Sequence, residues 1–92
     1  MIYVILVDTS YAPNENWEAV VEATTIDEAC LKLEAHENKD LTEEDKADGA
    51  EWKAVSFVDS AIEIHPGGTA QWYSFDYNEN KWVKARQEII IK

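Results

Sequence analysis

Residues 17–28 read Trp17-Glu18-Ala19-Val20-Val21-Glu22-Ala23-Thr24-Thr25-Ile26-Asp27-Glu28, and the period of apolarity changes within them. That change decides the fold. From Trp17 to Ala23 the chain alternates. Trp17, Ala19, Val21 and Ala23 share one face of an extended segment, and Glu18, Val20 and Glu22 share the other. From Thr25 the pattern is helical. Thr25-Ile26-Asp27-Glu28 has the spacing of a capping box, in which the Thr and Glu side chains satisfy N–H groups that a helix start leaves without partners. Asp27 and Glu28 also complement the positive start of the helix dipole. Ile26, Ala29, Cys30 and Leu33 fall on one stripe. The spacing predicts a helix from about Thr25 to Asn38, with Ile26, Cys30 and Leu33 facing a sheet.

Working outward, Ile2 to Asp8 is almost continuously apolar and rich in β-branched residues, the signature of a central strand. Pro13, Asn14 and Asn16 mark a loop, so this strand and Trp17–Ala23 form a hairpin. Downstream, Thr42-Glu43-Glu44-Asp45 caps a short helix that Gly49 ends. Trp52 to Val58 and Ala61 to Ile64 read as one strand bulged at Asp59-Ser60. His65-Pro66-Gly67-Gly68 is a turn, Ala70 to Tyr77 a strand, and Trp82 to Ile91 a last strand or pair of strands. The expected fold is α+β: a mostly antiparallel sheet in β-β-α-β-β-β order, with one main helix packed on one face, as a single domain over residues 1–92.

Charge is distributed unevenly. Residues 1–51 hold 14 acidic and 3 basic residues, which is the whole formal net charge of −11; residues 52–92 hold five of each. Phosphates would be repelled, so direct binding to duplex DNA or to an anionic membrane is disfavoured and a basic partner is favoured. With one cysteine there is no intrachain disulfide, and the apolar run Ile2–Val7 is too short to cross a membrane; a reducing cytoplasm is the expected setting.

Residues with catalytic or ligating chemistry are sparse. Zinc sites want three or four ligands at recurring spacings, whereas His36, His65 and Cys30 are scattered, so no metal and no cofactor is expected. Cys30 lies on the core stripe with Asp27 and Glu34 one turn away on either side, which raises its pKa and argues against a reactive thiolate. No nucleophile elbow, phosphate-binding loop or convergent set of catalytic groups appears, so the chain is read as a non-enzyme. Trp72, Tyr73 and Trp82 beside Lys81, Lys84 and Arg86 form the one locally basic stretch. They read as a base-stacking platform or, more simply, as cross-strand aromatic packing.

The acids carry the functional reading. Glu18 and Glu22 share a strand face about 13 Å apart at ordinary strand rise. Asp27, Glu28 and Glu34 point away from the helix stripe, with Leu31 among them as a candidate hydrophobic anchor or a residue covered by the segment around Leu41. Glu43, Glu44 and Asp45 follow. These nine residues are the candidate partner-binding set. In size, acidity and lack of catalytic residues the chain resembles the small phage-encoded inhibitors of host defence, both DNA mimics that block restriction enzymes and anti-CRISPR proteins. That resemblance implies a non-catalytic protein that occupies the Lys and Arg side chains of a nucleic-acid-binding protein or ribonucleoprotein complex, in the host bacterial cytoplasm. The alternative is a structural or interaction module of a larger assembly, with the charge serving solubility. The sequence names neither the partner nor the oligomeric state.

Overall fold

The structure is a computed structural model that describes residues 1–8 and 16–85 and the backbone of residues 89–90. It is α+β. Strands β1 (Ile2–Val7), β2 (Trp17–Glu22), β3 (Val58–His65), β4 (Thr69–Asp76), β5 (Lys81–Lys84) and β6 (Ile89–Ile90) build one antiparallel sheet. The order is β2-β1-β3-β4-β5, with β6 also paired to β4. Helices α1 (Ile26–Glu37) and α2 (Glu43–Ala47) and a 3₁₀ turn (Ala54–Ser56) lie between β2 and β3.

The registers set two faces. Tyr3 pairs with Val21 and Glu63, and Ile5 with Ala19 and Ala61, so these residues share the face that α1 covers. Tyr73 and Phe75 continue it on β4, and Trp82 and Lys84 on β5. Tyr3, Ile5 and Val58 are fully buried, and Ala29 and Leu33 of α1 close over that layer. Ile26 and Cys30 pack against the core but stay partly exposed, so the stripe centres on Ala29 and Leu33. The opposite, more open face carries Ile2, Val4, Leu6, Ile62 and Trp72, all half-buried.

Local signals act largely as expected. The Thr25 side chain accepts the Glu28 N–H at 3.1 Å and starts α1. Only half of that capping box forms, because the Glu28 carboxylate takes the Thr24 hydroxyl at 2.5 Å and Lys32 at 3.3 Å instead. The complete box belongs to α2, where Thr42 and Asp45 each bond the other's backbone N–H at 3.1 Å. Gly67 and Gly68 both adopt φ +94°, which only glycine does without strain, and close the β3–β4 turn. A bulge between Leu6 and Val7 shifts the β1–β3 register, with Asp59 as the extra residue.

One expected strand is corrected. Residues 52–57 do not extend β3; they form an inward-turned segment ending in the 3₁₀ turn. Tertiary contacts override strand propensity here. Trp52 stacks on Phe57 (centroids 5.6 Å, planes at 8°) and leans on Trp17 at 6.3 Å. Asn38, at the end of α1, donates to the Trp52 carbonyl at 2.9 Å and accepts its N–H at 2.8 Å. The Glu34 carboxylate accepts the Ala54 N–H at 2.8 Å. Removing this clamp with Asn38→Ala strands two backbone groups and is expected to cost about 1–3 kcal/mol, read as a lower urea midpoint at unchanged m-value. An unchanged midpoint would show that water replaces the amide at no cost.

Candidate functional site

The acidic candidates lie on edge strand β2, helix α1 and helix α2. Glu18 and Glu22 are exposed on β2, on the sheet face away from α1, with Val20 between them at 70% exposure. Neither carboxylate makes an ion pair among the described residues. Asp27 and Glu44 are likewise exposed and without an ion pair there. Leu31 is 66% exposed, so the Leu41 segment does not cover it.

The other candidates have local duties. Glu28 pairs with Lys32; the Thr24 hydroxyl, and then Lys32, hold its carboxyl below the usual carboxylate range. Glu34 anchors the 3₁₀ turn, Asp45 caps α2, and Glu43 lies 3.9 Å from Lys46. Glu51 meets Lys53 at 2.6 Å, which lowers its pKa in the same way. Lys32, Lys46 and Lys53 are thus matched, whereas Glu18, Glu22, Asp27 and Glu44 make no ion pair among the described residues.

A groove runs beside β2. It is a cavity of about 440 Å³ between the β2 edge and α1, with Trp17, Ala19, Val21 and Leu33 along its floor and Lys32 and His36 on its helix side. Sequence reasoning missed it, because the helical stripe says which face of α1 is buried but not how far from the sheet edge the helix lies.

The aromatic–basic stretch is divided by the sheet. Trp72 pairs with Ile62 on the open face, while Tyr73, Trp82 and Lys84 lie on the α1 face. Phe75 packs edge-on against both Tyr77 and Trp82. This is cross-strand packing, not one platform; Arg86 lies outside the described residues.

A polar relay that the sequence did not reveal crosses the α1 face. The Tyr3 hydroxyl donates to Glu63 Oε2 at 2.6 Å, Glu63 Oε1 meets His65 Nε2 at 2.5 Å, and His65 Nδ1 meets Thr69 Oγ1 at 3.0 Å. Glu63 and His65 share a face by strand period, which was legible; that Tyr3 and Thr69 join them depends on two strand registers. The order hydroxyl–imidazole–carboxylate is that of an acyl-transfer relay. However, the adjoining cavity of about 380 Å³ touches Tyr3 and Glu63 and neither His65 nor Thr69. Within the relay the Glu63 side chain is largely buried. Burial tends to raise the Glu63 pKa, but the bonds from Tyr3 and His65 outweigh it and hold the pKa below the usual range. Burial, and then Glu63, raise the pKa of Tyr3.

A carboxyl lowered in the folded state stabilises fully above its unfolded pKa, near about 4.3, and that stabilisation is lost as pH falls through the folded value. Tyr3→Phe is expected to cost about 1.5–3 kcal/mol at pH 7 and to flatten the acid limb of stability. Urea midpoints at pH 7 and pH 3 test this; an equal acid loss in both proteins would assign the limb to other carboxyls.

Burial also pushes the Cys30 thiol up to about 11, with Asp27 and Glu34 adding to the rise against the pull of the Trp82 indole. That thiol is a poor nucleophile at neutral pH. Among the described residues no three His, Cys, Asp or Glu side chains are placed to hold a metal ion, and no helix is long and apolar enough to cross a membrane. Comparison with protein-family models, with curated proteins and with solved structures returned no match. Fold and site together define a class: an α+β domain with exposed acids on its terminal strand β2 and on its helices.

Proposed function

We propose that this protein is a non-catalytic binding protein whose exposed acids occupy the basic surface of a nucleic-acid-binding protein or ribonucleoprotein complex. One observation carries the reading: Glu18, Glu22, Asp27 and Glu44 stand exposed with no cation paired to them among the described residues. Such a field attracts the Lys and Arg that otherwise hold phosphates. On this reading the protein acts in the bacterial cytoplasm as a phage-type inhibitor of DNA- or RNA-guided defence, in the manner of a DNA mimic. The partner, not the protein, contacts nucleic acid.

The second reading, a structural module with charge for solubility, draws support from the Lys32, Lys46 and Lys53 ion pairs and from the backbone duties of Glu34 and Asp45. Exposed pairs of this kind contribute little to stability, so they do not by themselves account for the remaining carboxylates.

The test is capture from bacterial lysate, identification of the bound protein, and then salt titration and nucleic-acid competition on the purified pair. Binding is expected to weaken as salt rises and to compete with the partner's own nucleic acid. Reversing Glu18 with Glu22, Asp27 with Glu28, or Glu43 with Glu44 is expected to weaken it about tenfold for at least one pair, with circular dichroism unchanged. Wild-type affinity in all three variants rejects the proposal in favour of the solubility reading.

A further inference from the structure

We infer that the open edge of β2 binds an extended basic segment of the partner as an added antiparallel or parallel strand, with alternate side chains seated in the groove under α1. The inference rests on the basic-partner reading above and specifies how that partner is held.

The backbone comes first. Met1 and Ala23 exchange both of their hydrogen bonds at 3.0 Å. Bonded pairs alternate along an antiparallel ladder, so Val21, Ala19 and Trp17 also direct their backbone groups toward β1. The N–H and C=O groups of Glu18 and Val20, and the N–H of Glu22, therefore point out of the sheet. β2 is the terminal strand, and no described strand pairs with that side. Among the described residues, the Glu22 carbonyl is the outward group that is occupied, by Lys32 Nζ at 2.8 Å.

Side chains then choose the occupant. Three cross-strand rows reach this edge on the open face. The middle row, Trp72–Ile62–Val4–Val20, is apolar and ends at the exposed Val20. The rows on either side end at Glu18 and Glu22. An added strand continues all three rows, so it wants Lys or Arg at positions one and five and a β-branched apolar residue at position three. Its positions two and four turn to the α1 face and enter the cavity floored by Trp17, Ala19, Val21 and Leu33. The chemistry selected is basic–apolar–apolar–apolar–basic. A second copy of this chain is disfavoured there, because antiparallel β2–β2 pairing about Val20 sets Glu18 against Glu22, and like charges directly opposite each other repel. Main-chain bonds supply affinity and alternate pockets supply specificity in this mode of recognition.

The probe is a capped peptide with the core Lys-Leu-Val-Leu-Lys, titrated into the isotopically labelled full chain. Expected results are a salt-sensitive Kd and slowed amide exchange at Glu18 and Val20. Methylating the peptide nitrogens that face β2 should weaken binding at least tenfold, as should moving the lysines to positions two and four. Val20→Pro deletes an outward N–H, not one bonded to β1, so it should retain the sheet and lose the peptide. The methylated peptide tests the same bond on the unaltered protein if that variant does not fold. Binding that tolerates methylation and leaves Glu18 and Val20 unprotected overturns strand addition while leaving acidic docking intact. Absence of binding by this peptide overturns strand addition. If oligolysine at low salt also fails to bind, the acidic-docking reading falls with it.

Discussion

Ile5→Ala is expected to lower unfolding free energy by about 3–4 kcal/mol, the largest effect of any single truncation considered for this protein. Ile5 is fully buried at the middle of β1, between Ala19 on β2 and Ala61 on β3. Both cross-strand neighbours are already alanine, so neither can fill the space, and the cavity is expected to persist. A domain this size has a total stability of roughly 5–15 kcal/mol, so the loss is a large share of it. A fall in melting temperature of roughly 15 °C or more should follow. Far-UV circular dichroism melts measure this; a fall under about 5 °C would show that the core collapses around the deletion.

Trp52→Ala is expected to cost about 3 kcal/mol by a different route. Trp52 is only partly buried, yet it joins Trp17 of the hairpin to Phe57 before β3. Without the indole, the Asn38 bonds and the Glu34–Ala54 bond must hold the segment alone. The near-UV aromatic signal should collapse while far-UV helicity falls little, because α1 retains Ala29 and Leu33 on the sheet. The amides of residues 53–57 should lose exchange protection before those of β1. Equal loss of protection in both regions would place Trp52 in the global core.

Much of the fold was legible because it rests on local period. Ile2–Val7 is apolar throughout, and Trp17–Ala23 alternates. Thr25 and Asp27 mark a helix start, and His65-Pro66-Gly67-Gly68 marks a turn that needs positive φ. The stretch from Trp52 to Phe57 was misread because its aromatic and β-branched residues fit a strand as well as they fit an inward turn. Asn38 and Glu34 decide between the two, from 14 and 20 residues away. The candidate site divides in the same way. The sequence marks the excess of acids and places Glu18 and Glu22 on one strand face. It does not show that Glu28 turns to Lys32, or that Glu34 and Asp45 bond backbone N–H groups.

By itself, then, the sequence determined the α+β class, the helix stripe, the hairpin and the side of the chain that carries the negative charge. These follow from residue order over a few positions. Only the tertiary structure decided that β2 is an edge, that a groove separates it from α1, and that Tyr3, Glu63, His65 and Thr69 form one relay. An edge is defined by which strands pair, and a groove by where a helix comes to rest. Both depend on burying Tyr3, Ile5 and Val58 against residues distant in the chain, and local period carries no record of those distances.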